Sequence, residues 1–414
     1  MLRRLSLAVL AATALTPFVA AAQTLAPTAV TSIDPTVNDF SDLEPLGRDI
    51  GDARIVILGE PSHGEGAAFI AKARVIRYLH ERMGFDVLAF ESGIGVVGVA
   101  DDKARAGGSP GEALSAAVMP VWGRSDQFRP LADYLDRTAQ AGRPMTLAGI
   151  DFQEVGPVGA DLAEQVAGLA ARLPTAAEPL ERLSDHLRAV SENGMRALAG
   201  RDTTSVSADV DTIQAALVSL PASEGDRWRQ QLASLDSFFT FMRRIGEGTP
   251  EVFNSRDVQM ASNLHWLADR APDRKIIVWA ATSHALKDRG AIDPAADATS
   301  RMVPMGAHIH RIFGDDAYVL AFTGGGGRIG SWARRTETDI GSPPEGSLEA
   351  ELLQSPHAYA FSALAPSAER RLSWMLGYEP MPAYWDRAVD GVFFIREMTP
   401  TSYATVPAPA GRAQ

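Results

Sequence analysis

The chain has 414 residues, 46% hydrophobic and 22% charged, which is enough apolar surface for a large core and too much for a disordered chain. With 39 Lys and Arg against 51 Asp and Glu the net charge is −12, which argues against a general binder of nucleic acid or anionic membranes. The absence of Cys excludes disulfides, thiolate metal sites and thiol nucleophiles.

In chain order, the first segment reads as an export signal. Met1-Leu2-Arg3-Arg4 is basic, Leu5 to Val19 is apolar, and Ala20-Ala21-Ala22 offers small residues for cleavage. The apolar stretch is shorter than the roughly 20 residues a bilayer requires. Residues 1–22 are therefore expected to be a signal peptide, giving a periplasmic or secreted protein with no membrane span. Loss of Arg3 and Arg4 would take the net charge from −12 to −14. Residues 23–50 read as an N-terminal leader, 51–400 as one α/β domain and 401–414 as a flexible tail.

Within the domain, six short runs have strand character: Ala53–Gly59, Asp86–Phe90, Met145–Ile150, Lys275–Ala280, Ala317–Phe322 and Gly391–Ile395. They are apolar almost throughout, as strands buried on both faces should be. Helical patterns follow several of them, so the expected fold class is α/β, a mostly parallel sheet flanked by helices. Between about 157 and 270 the strand signal vanishes and four helical patterns replace it, which reads as a helical insertion or cap.

The chemistry-bearing residues stand where the apolar runs end. The first run ends in Glu60-Pro61-Ser62-His63-Gly64-Glu65, the second at Glu91, the third at Asp151 and the fourth at Ser283-His284. In open α/β sheets the carboxyl ends of strands line one crevice, and ligands bind there. Histidine titrates near neutrality and a carboxylate three residues away can orient it, so Glu60 and His63 suit general base chemistry. A metal held by Glu60, His63, Glu91 and His284 is an alternative. Lys72 falls early in the next helix, either aimed at these carboxylates or solvated.

Other patterns are weaker. Gly107-Gly108-Ser109-Pro110-Gly111 spells a nucleophile elbow, but no strand precedes it, and Ser109 with Glu112 reads as a helix cap. Gly325, Gly327 and Gly330 spell a dinucleotide fingerprint without its helix, so a flexible loop at the crevice edge is expected. His308 and His310, two apart on a helix, do not share a face.

Leu58-Gly59-Glu60-Pro61-Ser62-His63-Gly64, Lys72, and Gly84-Phe85 leading to Phe90-Glu91 resemble the N-terminal signature of the erythromycin esterase family. The resemblance continues through Gly149-Ile150-Asp151, Arg256-Asp257-x-x-Met260-Ala261, Val278-Trp279-Ala280 to His284, Pro304-Met305-Gly306 and Asp390 to Ile395. It implies an α/β core with added helices, hydrolysis of a small-molecule ester or lactone such as a macrolide by activated water, and no cofactor. By the resemblance, His63 is the general base, Glu60 its orienting carboxylate, and Glu91 and Lys72 line the same site. Lys72 and His284 are expected to stabilise the oxyanion, with Asp151, Arg256 and Asp257 on the substrate side. The chain departs from the family at Ala281-Thr282, where the family carries His-Asn. That departure leaves a non-catalytic or metal-dependent small-molecule binder as the alternative.

Overall fold

The six apolar runs become six adjacent parallel strands, because each is buried on both faces and can be satisfied only between covering layers. The protein is described by a computed structural model covering residues 25–297, 299 and 301–403. The expected signal peptide, and the expected tail beyond Tyr403, lie outside the described residues. Among the described residues no helix is long and apolar enough to cross a membrane.

The main sheet has eight strands: β1 (Thr28–Val30), β2 (Ile55–Glu60), β3 (Phe85–Gly93), β4 (Thr146–Asp151), β5 (Lys275–Ala281), β6 (Ala317–Gly324), β7 (Tyr359–Ala363) and β8 (Gly391–Ile395). Their spatial order is β1-β7-β8-β6-β2-β5-β3-β4. From β8 to β4 every pairing is parallel; β7 is antiparallel to β8 and β1 to β7. The two antiparallel strands escape a reading based on apolar runs, since they are short and carry exposed residues.

Alternation sorts the side chains of each strand into two cores. Val56 and Leu58 face a core shared with the long helix α1 (Gly66–Met83) and with the helical segment, while Ile55 and Ile57 face the other. The helices Gly159–Gly168, Ala177–Asn193, Val206–Ala216 and Ala222–Arg244 place Leu162, Leu187, Val210 and Phe238 in the same cluster as Leu88 and Phe90. The fifth helix, α2 (Pro250–Arg270), packs Met260, Ala261 and Leu264 on the opposite face. The segment is thus continuous with the sheet's own cores.

Two expectations are corrected. Residues 28–50 do not merely lead into the domain: Val30, Phe40, Leu43, Leu46 and Ile50 are buried in its core, and Asp42 pairs with Arg74 of α1 at 2.7 Å. The Gly325–Gly330 segment runs into a hairpin, Arg328–Ser331 against Thr336–Asp339, rather than forming a flexible loop. Its glycines serve backbone approach, since a Cβ on Gly327 would lie 2.2 Å from the Met398 carbonyl. Ser109 caps the helix Pro110–Ala117, accepting from the Glu112 N–H at 3.0 Å. His310 bonds the Gly314 carbonyl and His308 meets Arg311, both half-buried on their helix.

The register brings Glu60 beside Ala281, and Phe90 beside both Trp279 and Gly149. An irregularity between Phe90 and Gly93 then turns Glu91 out of the regular ladder. Gly149 permits this, because a Cβ there would stand 2.3 Å from the Gly93 carbonyl oxygen. Gly149→Ala should therefore lower the unfolding free energy in urea by about 1–3 kcal/mol. Gly168→Ala, where a Cβ meets nothing within 4 Å, should leave it within roughly 0.5 kcal/mol. Equal midpoints for the two variants would refute the tight β3–β4 contact.

Candidate functional site

The carboxyl ends of β2, β3, β4 and β5 deliver Glu60, Glu91, Asp151 and, one turn on, His284 to one edge of the sheet. Glu60 is completely buried, and each of its oxygens is engaged. Oε1 meets His63 Nδ1 at 3.0 Å and accepts the Trp122 indole N–H at 2.7 Å. Oε2 accepts from Lys72 Nζ. Trp122 also meets the His63 ring edge-on, with centroids 5.0 Å apart. Nothing in the sequence marks Trp122, an apolar residue in a short turn; only the fold carries it to Glu60.

The position of Lys72 corrects the expectation that it stabilises an oxyanion. It is fully buried beneath Glu60, donates to the Ala280 carbonyl at 3.3 Å, and lies 4.7 Å from the Trp279 ring centroid. Burial lowers its pKa against the pull of the surrounding carboxylates. Its charge fixes Glu60 from below and cannot touch a ligand.

His63, by contrast, keeps 36% of its side chain exposed. Burial of its inner side disfavours the imidazolium, but the bond to Glu60 and the charges of Glu91, Glu60 and Glu65 outweigh this and raise its pKa above 6.5. Among the described residues its Nε2 has no protein partner. The neighbouring Ser62 hydroxyl donates to buried Glu65 at 2.6 Å, so it is not hydrogen-bonded to His63.

A second cluster faces the first across Glu91. Arg256, from the second turn of α2, donates through Nη2 to Glu91 at 2.9 Å and to Asp151 at 2.7 Å, and through Nε to Asp151 at 3.2 Å. Glu91 also accepts the Ala281 N–H at 2.8 Å. Burial opposes its ionisation, yet His284, Arg256 and His63 together hold its pKa at about 2. Asp257 accepts from the Met305 N–H at 2.8 Å and meets His284 Nδ1 at 2.7 Å. With Nδ1–H committed to Asp257, the far nitrogen of His284 accepts from Arg256 Nη1 at 3.3 Å when neutral. When protonated it faces Glu91 at 3.5 Å. Burial disfavours that charged form, but Asp257 and Glu91 prevail and raise the pKa.

Asp151 is also corrected. It is fully buried, bonded to Arg256 and to the Phe152 N–H, and so orients Arg256 instead of facing a ligand. Arg256, His284 and Asp257 keep partial exposure. Thr282 opens the short turn Thr282–Ala285 that presents His284; its hydroxyl is buried without a partner against Gly59. Among the described residues no group of three His, Asp or Glu side chains is placed to hold a metal ion. Lys72 and Trp122 engage the oxygens of Glu60, and Arg256 and the Ala281 N–H those of Glu91.

Comparison with known proteins follows the same lines. YbfO of Bacillus subtilis (strain 168) is 27% identical over 402 residues, covering 87% of each chain. Erythromycin esterase type II of Escherichia coli is 23% identical over 417 residues, covering 87% of this chain and 93% of that one. A solved Bacillus cereus protein superposes with a TM-score of 0.73 at 18% identity, over 92% of this chain and 97% of its own. A mutant of the erythromycin esterase EreC in its open conformation gives 0.69 at 18% identity, over 92% and 99%. The erythromycin esterase family model matches residues 80–398, a span that holds Glu91, Asp151, Arg256, Asp257 and His284. Matched over most of its length, the chain belongs to the erythromycin esterase family.

Proposed function

We propose that the protein hydrolyses a carboxylic ester or lactone with water activated at His63. One observation carries this reading: Glu60 holds His63 through Nδ1 at 3.0 Å, leaving the exposed Nε2 free to take a proton. Water bound there loses that proton as its oxygen attacks the carbonyl carbon. The negative charge on the carbonyl oxygen is met by the partly exposed Arg256 and His284, not by Lys72. As the tetrahedral carbon collapses, protonated His284 gives its proton to the departing alkoxide, and the acid is released. With Ser62 turned to Glu65, no acyl-enzyme is needed.

The Escherichia coli relative is named for erythromycin, and a macrolide lactone is the substrate class to try first. Export through residues 1–22 belongs to the same proposal, and would place the reaction outside the cytoplasm. Ala281 and Thr282 favour a second reading, a binder without turnover, because neither offers an exposed polar group beside His284.

Purified protein should release acid from macrolides or aryl esters. His63→Ala should reduce kcat/KM by about 10²–10⁴ in a protein that still folds; unchanged activity would sink the base assignment. Because His63 must be neutral to act and its pKa lies above 6.5, kcat/KM should fall as pH drops through a value above 6.5. Glu60→Gln removes the carboxylate that raises this pKa, and should move the acid limb to lower pH; an unmoved limb would exclude His63 as its origin. Lys72→Met should cost about 3 kcal/mol of stability, since it strands a buried carboxylate. Lost activity at full stability would return Lys72 to the oxyanion.

A further inference from the structure

The hairpin after β6 ends in an aromatic and cationic cluster that the proposed reaction does not use. Trp332 packs edge-on against Tyr403, with centroids 4.8 Å apart. The Arg335 guanidinium lies 4.0 Å from the Trp332 centroid and 5.1 Å from that of Tyr403, and Arg124 lies 5.8 Å from Trp332. Among the described residues neither arginine side chain has a hydrogen bond or ion pair. The nearby acids are engaged elsewhere, Asp126 accepting from the Ser402 hydroxyl at 2.8 Å and Glu337 pairing with Arg328 at 3.3 Å.

A closed circuit of contacts sets this cluster at the rim of the site. His63 meets Trp122; two residues on, Arg124 reaches Trp332; two residues before Trp332, the Gly330 N–H donates to the Gly64 carbonyl at 2.8 Å. Gly64 follows His63, which closes the ring. Two residues span at most about 7 Å, so Arg124 and Trp332 stand close to the neighbours of His63 on both sides.

The backbone adds an independent sign. Arg335 has φ +52, the left-handed conformation glycine adopts without strain, and its N–H donates to the Ser331 carbonyl at 2.8 Å to close the turn. The turn alone would suit glycine; the residue that stands there is an arginine whose guanidinium lies over an indole. Stacking leaves the in-plane N–H groups free for an oxyanion. In a chain of net charge −12, two exposed guanidiniums with no ion pair among the described residues are a local site that an anionic ligand could use.

We propose that Arg124 and Arg335, on the Trp332 platform, bind a carboxylate or phosphate group of the substrate, so that the preferred ester carries a negative charge. The word substrate rests on the hydrolase reading above; the anion site does not.

Two measurements decide it, on wild type, Arg335→Gly, Arg124→Gln and the double variant. The first compares kcat/KM for 4-nitrophenyl acetate and for a 4-nitrophenyl ester whose acyl chain ends in a carboxylate. Wild type should favour the charged ester about tenfold or more, through KM, and the double variant should lose that preference. The second titrates glutarate and inorganic phosphate by calorimetry, which tells carboxylate from phosphate; affinity should fall about tenfold or more in the double variant. A purely structural Arg335 predicts that Arg335→Gly, which relaxes the turn, changes neither preference nor affinity, and that result would overturn the proposal. If wild type cleaves neither the esters nor macrolides, the hydrolase reading fails while the titration still decides the anion site. No saturable binding of either anion by wild type would overturn it.

Discussion

Glu60 is a carboxylate with no access to water, and the arrangement around it follows from that constraint. An unpaired buried charge costs several kcal/mol, so such a group persists only where donors and cations surround it. Lys72 rises from α1 below, Trp122 closes one side, and His63 meets the remaining direction. The lysine is itself made tolerable by the Ala280 carbonyl and by the rings of Trp279 and Phe322. With so many partners fixed, the imidazole is held in one orientation by its Nδ1 contact, which is what the proposed proton acceptor requires.

The second cluster solves the same problem with the opposite balance. Glu91 lies among Arg256, His284 and His63, so its negative charge is stabilised down to about pH 2. Each histidine has its own carboxylate, Glu60 for one and Asp257 for the other, and Glu91 acts electrostatically on both. The helical segment matters here, since its last helix carries Arg256 and Asp257 over the sheet's carboxyl edge. The segment is therefore part of the site's scaffold rather than a separate cover.

Much of this was legible before the fold was seen, for identifiable reasons. Ile55–Glu60 and Ala317–Gly324 are buried on both faces, so burial alone marks them as apolar runs, and polar residues directly after such runs stand out. Thr28–Val30 and Tyr359–Ala363 were not legible, because short strands with exposed residues owe their form to the antiparallel partners that pair with them. The hairpin after Gly327 was obscured by its glycines, which accommodate the Met398 and Thr401 backbone and resemble a loop in sequence.

The sequence by itself determined the family, the parallel core, and which residue types stand at the strand ends, His63 and Glu60 among them. These follow from local burial patterns and short motifs. Only the tertiary structure decided that Lys72 points inward, that Asp151 is claimed by Arg256, that Trp122 completes the Glu60 shell, and that Arg124 and Arg335 meet on Trp332. The physical reason is desolvation: a buried charge takes whichever donors the fold brings to it. Here the donors come from 62 residues away for Trp122 and 105 for Arg256, and no local pattern encodes that competition.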